Sequence, residues 1–152
     1  MSIRFATDNE INSWDELVVN NGDRGNMLQG SVFLNLKRLS GWQPRFIICN
    51  GLAIGAIEKH IPLLGKVWYI PKGPGVATAK ELAEVVPDLR DFARQQGVFT
   101  IKIEPELLRG ADVSTIKLLP TQPIQYNAST VVVDLHDDID TILKNLPQKG
   151  RH

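Results

Sequence analysis

Two lysines stand at the ends of apolar runs that stop abruptly in proline or glycine. Lys72 follows Trp68-Tyr69-Ile70-Pro71 and precedes Gly73-Pro74-Gly75, and Lys102 lies within Ile101-Lys102-Ile103-Glu104-Pro105. Rigid strands hold the loops at their ends still, which is why binding groups concentrate there. Two such ends in one chain are either an edge of a sheet that faces a ligand or two ordinary strand-to-loop transitions. A lysine in that place offers charge-assisted hydrogen bonds to phosphate or carboxylate oxygens. Lys37 is a further cation of this kind, near the end of a helical stretch and off its apolar stripe. Tyr69 and Trp42 either stack on a base or sugar ring or fill core. Lys102 and Glu104 share a strand face at i, i+2 and are expected to pair with each other.

Other constellations are missing. His60, His136 and His152 are scattered without a second ligand at turn or helical spacing, so no metal site is expected. There is no Gly-x-Ser-x-Gly elbow and no phosphate-binding Gly-x-x-x-x-Gly-Lys loop. Lys72-Gly73-Pro74-Gly75 imitates such a cradle only loosely, because Pro74 lacks an N–H. Asp137, Asp138 and Asp140 read as charges at a helix N-terminus. No Gln/Arg-x-x-Gly-x-Gly/Ala turn is present to hold the pyrophosphate of acetyl-CoA, and no cofactor is expected. Cys49, in the run Phe46-Ile47-Ile48-Cys49, reads as a buried small hydrophobe.

The elements that must position these residues follow from periodicity and punctuation. A strand is expected over 3–7, then a helix capped by Asp8 or Asn9 and running to Val19. A second helix over 28–39 carries Leu28, Val32, Leu36 and Leu39 as its buried stripe and stops at Gly41. Strands over 43–49 and 52–61 are joined by Asn50-Gly51, a turn pair that tolerates positive φ. A third strand covers 66–70. Thr78, with Glu81 three residues on, caps a helix that ends at Gly97 and buries Leu82, Val85, Val86, Leu89 and Ala93. Pro87 should kink or break it. Strands over 98–104 and 129–135 and a helix over 137–146 complete the order. This is an α/β (α+β) chain with a mixed sheet and helices on its faces.

The chain has 152 residues, 43% of them hydrophobic and 22% charged, which suits one globular domain. Seventeen basic residues balance seventeen acidic ones, so no overall field recruits nucleic acid or an anionic membrane. A lone cysteine suits a reducing compartment, and neither a signal peptide nor a transmembrane run is seen. The expected location is the cytoplasm, at most peripheral to the inner face of the membrane.

Taken in order, Leu28-Gln29, Lys37, Gly41-Trp42, Tyr69-Ile70-Pro71-Lys72-Gly73-Pro74, Leu89-Arg90-Asp91-Phe92-Ala93-Arg94, Ile101-Lys102-Ile103-Glu104-Pro105 and Val132-Val133-Asp134-Leu135 resemble the first half of the FemAB family, the peptidoglycan bridge-forming aminoacyltransferases. The resemblance runs from about Trp14 to the last residue. It implies a GNAT-like (N-acetyltransferase-like) domain, of which FemAB proteins contain two. Residues 1–152 would be the first copy, with the second domain absent. Lys149-Gly150-Arg151-His152 resembles the start of the basic segment leading into that second domain.

The implied role is the N-terminal, precursor-binding part of an aminoacyl-tRNA-dependent transferase that adds an amino acid to the peptidoglycan stem peptide. Lys37, which matches the family's helix lysine after Leu-Gln, and Lys72 would meet the precursor's diphosphate. Tyr69 and Trp42 would face its uracil or sugar, and the catalytic residues stay unassigned. The implied partners are a UDP- or lipid-linked muramyl pentapeptide and, in the full-length protein, an aminoacyl-tRNA. Two alternatives stand beside this one: a non-catalytic precursor-binding fragment, and a GNAT N-acyltransferase with a degenerate CoA turn. A fragment would expose the apolar face Ile139, Ile142, Leu143 and Leu146 of its last helix and self-associate.

Overall fold

The computed structural model describes residues 2–108, 110–124 and 135–146. The strand expected over 129–135 falls, but for Leu135, outside the described residues, as do Lys149-Gly150-Arg151-His152. The chain divides into two compact units, Met1–Thr121 and Gln122–His152.

In the first unit five strands lie side by side in sequence order: β1 (Ile3–Phe5), β2 (Gln43–Cys49), β3 (Leu52–Ile61), β4 (Gly65–Ile70) and β5 (Val98–Ile103). The first three pairings are antiparallel. The fourth, β4 with β5, is parallel. The parallel pair needs a crossover, which the helix α4 (Ala79–Gln95) supplies. The mixed sheet with helices on both faces is thus the expected architecture. Asn50 and Gly51 adopt φ of 51° and 88°, so the tight turn between β2 and β3 forms as its sequence demands.

Alternation along the strands sorts side chains into two cores. Ile47, Cys49, Ile54, Trp68 and Ile70 pack against Leu82, Leu89 and Phe92 of α4. Phe46, Ile48, Ala53, Ile57 and Tyr69 face Trp14, Val18 and Leu34 on the other side. Cys49 is buried and unpaired. Thr78 caps α4 by accepting the Glu81 N–H at 3.2 Å, while the Glu81 carboxylate takes the Ala77 N–H at 2.9 Å. The helix runs through Pro87 without a break. Phe92 is buried beside Leu82, Val85, Leu89 and Ala93, whereas Val86 is only half-buried.

The N-terminal helices depart from expectation. Thr7, not Asp8 or Asn9, is the cap, in a box with Glu10. The helix is split at Ser13 into α1 (Asp8–Asn12) and α2 (Trp14–Val19). The stretch expected as one helix over 28–39 is a 3₁₀ turn (Met27–Gln29), a short α3 (Ser31–Leu36) and a second 3₁₀ turn (Lys37–Ser40). Its stripe was read on the wrong face. Leu34 is buried against the sheet, while Val32, Leu36 and Leu39 are exposed. Gly30, extended at φ −71° and ψ 155°, interrupts the helix and resets its phase.

In the second unit, α5 (Ile139–Asn145) is capped by Asp138, whose carboxylate accepts the Thr141 N–H at 3.0 Å. That bond and the Thr141 hydroxyl hold the Asp138 carboxyl below the ordinary aspartate range. Ile139 and Leu143 are exposed. Among the described residues no helix is long and apolar enough to cross a membrane.

Candidate functional site at the ends of the parallel strands

β4 and β5 run in the same direction with Tyr69 opposite Lys102 and Ile70 opposite Ile103. Their C-terminal ends therefore open at one edge, and both punctuated blocks of the sequence arrive there together. The Glu104 N–H extends the ladder past the strands, reaching the Ile70 carbonyl at 3.3 Å and the Gly73 carbonyl at 3.1 Å. The loop after β4 and the loop after β5 are thereby bound to each other.

A buried amide fixes the third side. β3 pairs with β4 only over Ile57–Ile61, so the half of β3 that begins at Leu52 lacks a strand on that flank. Buried N–H and C=O groups need partners, and two side chains provide them. Asn21 receives the Ala53 N–H at 3.0 Å and donates to the Ala53 carbonyl at 2.8 Å. Gln29 does the same for Gly55, at 2.8 and 3.0 Å, and also donates to the Pro71 carbonyl. Gln29 is fully buried, and its own carbonyl accepts Trp14 Nε1 at 2.9 Å. Gly73 is required here. A methyl group at that position would come within 2.8 Å of Ile70 and 2.9 Å of the Gln29 amide.

On this frame the polar side chains form two linked sets. Lys72, held at φ 49°, reaches Glu106 Oε1 at 3.1 Å, and Glu106 Oε2 accepts from Asn26 Nδ2 at 2.7 Å. The second set is built on Glu104, which accepts the Tyr69 hydroxyl at 2.7 Å and lies 3.9 Å from Lys102 Nζ. Lys102 also donates to Thr121 Oγ1 at 2.6 Å. The pairing of Lys102 with Glu104 is as the strand spacing implied.

Beside Asn26 a groove of about 410 Å³ runs along α2 and α3. Val18, Val19, Met27, Val32, Phe33 and Leu36 make it apolar, with Asp15, Arg24 and Asn26 on its wall. Lys37 Nζ lies 4.8 Å from the centroid of the Phe33 ring. Arg24 is exposed, at φ 64°, and forms no ion pair among the described residues. Burial raises the Asp23 carboxyl above the ordinary aspartate range. The Gly25 N–H at 2.9 Å opposes the rise, and the nearby charge of Glu106 adds to it.

The four residues singled out from the sequence are thus distributed unequally. Lys72 sits in the linked edge, and Lys37 lies over a groove residue. Tyr69 is buried in core and reaches the edge only through its hydroxyl. Trp42 is half-buried, with Lys59 Nζ 5.4 Å from its ring centroid. Sequence reading missed Asn26, Arg24 and Glu106. Glu106 had a signal, since Glu104-Pro105-Glu106 sets two carboxyls around a strand end. Asn26 and Arg24 had none, because 80 residues separate Asn26 from its partner Glu106. Among the described residues no three His, Cys, Asp or Glu side chains are grouped to hold a metal ion.

The fold has a counterpart among solved structures. FemX superposes with a TM-score of 0.56 and 23% identity over 73% of this chain. The fold is shared with FemX. The chain spans 29% of FemX's length. A probable acetyltransferase (TM-score 0.47, 13% identity, 91% of this chain and 100% of that one) superposes more loosely. So does a Trypanosoma brucei acetyltransferase (0.36, 14%, 69% and 82%). No protein-family profile and no curated protein matches the sequence.

Proposed function

We propose that this chain is the precursor-binding part of an aminoacyl-tRNA-dependent transferase that adds an amino acid to the stem peptide of a peptidoglycan precursor. The observation that carries the reading is the groove beside Asn26. It has an apolar floor, Lys37 over Phe33, Arg24 on its wall, and an edge where Lys72 is held through Glu106 and Asn26. A UDP- or lipid-linked muramyl pentapeptide is the matching kind of molecule, with a diphosphate for the cations and a peptide for the groove. In this reading Lys37 and Lys72 meet the diphosphate, and Trp42 offers a face to the sugar or base. Tyr69 acts through its hydroxyl, by holding Glu104.

The transfer itself asks for alignment of an amine with an already activated ester and stabilisation of the oxyanion. Residues 1–152 supply one domain of that assembly, and an aminoacyl-tRNA joins in the full-length protein. Calorimetric titration with UDP-linked muramyl pentapeptide tests the assignment. Binding is expected, and Lys37→Ala and Lys72→Ala each weaken it about tenfold, the worth of one charge-assisted bond. Absence of binding, or binding of acetyl-CoA in its place, overturns the reading. Turnover with charged tRNA then separates a transferase from a fragment that only binds.

A further inference from the structure

The opposite end of the same two strands has a different chemistry. The β3–β4 turn is Lys59-His60-Ile61-Pro62-Leu63-Leu64-Gly65-Lys66, which contains three basic or titratable side chains and no acid. Leu63 is fully exposed and Leu64 is 64% exposed. The Leu64 N–H closes the turn onto the Ile61 carbonyl at 3.1 Å, and Leu63 is held at φ 66°. A leucine in the left-handed region is strained, and glycine would sit there at less cost. The turn therefore carries strain and two bare leucines at once. Phe99 at the start of β5, 51% exposed, adds a third apolar group beside Gly65, where a methyl group would meet its ring at 3.7 Å.

Cations surround this apex on both faces of the hairpin. Lys59 projects from the face of Trp42, and Lys66 from the face of Trp68, as the register pairs Lys59 with Val67 and His60 with Lys66. The last turn of α4 ends at the same place, because Lys66 Nζ donates to the Gln96 carbonyl at 3.1 Å, and it brings Arg94. Lys59, His60 and Arg94 form no ion pair among the described residues. Glu58, the carboxylate next along β3, is buried, accepts from Arg45 at 2.8 Å and Trp68 at 2.7 Å, and holds Lys66 Nζ at 3.8 Å.

We infer that the β3–β4 apex is a wedge that docks the protein on an anionic lipid surface. Leu63, Leu64 and Phe99 enter the boundary between headgroups and acyl chains, and Lys59 and Arg94 face the phosphates. Apolar tips ringed by cations suit this interface because burial of the tip and attraction of the ring act together. A second copy of the chain fits less well, since two identical cationic rings would repel each other. The inference uses neither Lys37 nor Lys72, and it shares with the proposed precursor site only Trp42, whose ring carries Lys59.

Cosedimentation of the intact chain with vesicles tests it. Binding is expected to phosphatidylglycerol-containing vesicles, to weaken in raised salt, and to be largely lost on pure phosphatidylcholine. L63S/L64S should lower the partition coefficient about tenfold or more while thermal unfolding stays unchanged, and Lys59→Glu should lower it severalfold. Three outcomes overturn the inference: no binding to anionic vesicles, binding untouched by L63S/L64S, or binding equal on neutral vesicles. A dimer in solution that L63S/L64S abolishes, without vesicle binding, assigns the apex to a second copy and overturns it equally.

Discussion

The two ends of the β4–β5 pair are built on the same strands and solve opposite problems. At the C-terminal end every loop is tied. Gln29 binds Gly55 and Pro71, Glu104 binds Ile70 and Gly73, and Lys72 reaches Asn26 through Glu106. At the N-terminal end the tip of the turn is closed by the Leu64 N–H on the Ile61 carbonyl, and Leu63 and Leu64 lie in water. The difference shows where precision is stored. Buried amides and a close-packed glycine hold a polar constellation in one geometry, whereas an exposed apex is free to meet a soft partner.

The comparison breaks most sharply at Gln29. Gln29→Ala strands the Gly55 N–H and C=O and the Pro71 carbonyl in a buried place, at about 1–3 kcal/mol for each group left without a partner. A loss of about 4 kcal/mol in urea unfolding is expected, together with loosening of the 71–75 loop in hydrogen exchange. A loss below about 1 kcal/mol would mean that water reaches this edge and that the frame is not dry.

Between the two ends lies Glu58. Burial by itself raises the Glu58 carboxyl, but the donors Arg45 and Trp68 outweigh that, and its folded value lies below the ordinary 4.5. Its contribution to stability is therefore full above the unfolded value and is lost as pH falls through the folded one. Trp68→Phe removes the indole donor and should cost about 2–3 kcal/mol near neutral pH. The penalty should shrink once the solution is acid enough to protonate Glu58. Denaturation of both proteins across the acid range checks this, and a penalty independent of pH assigns the whole cost to lost packing.

Gly73→Ala sharpens the same contrast on a smaller scale. The added methyl group meets Ile70 and the Gln29 amide, and about 1–2 kcal/mol is expected. Smallest of all is Leu63→Gly at the apex. Relief of the left-handed strain and the greater freedom of glycine in the unfolded chain nearly cancel, leaving a change of less than about 1 kcal/mol. If Leu63→Gly proved more costly than Gly73→Ala, the apex would be a packed element and the contrast would fail.

Much of this was legible in local pattern. Asn50-Gly51 named the turn between the extended runs over 43–49 and 52–61, and Thr78 named its cap. The stripe of α3 was not legible. Leu28, Val32, Leu36 and Leu39 have good helical spacing, yet the sheet meets the face that carries Leu34. Gly30 splits the segment, and no periodicity within it says which face finds the sheet. Asn21 and Gln29 look like ordinary polar residues until an unpaired flank of β3 is set against them.

The sequence alone determined which stretches extend, where they turn, and that two lysine-bearing blocks end strands, because φ preferences, capping and side-chain alternation act over a few residues. Only tertiary structure decided that β4 and β5 lie side by side and in parallel. With that came the meeting of Lys72, Glu106 and Asn26 at one edge and of Gly65 and Phe99 at the other. Such contacts join residues far apart in the chain. Their free energy comes from burial and hydrogen bonding that exist only once the sheet has formed.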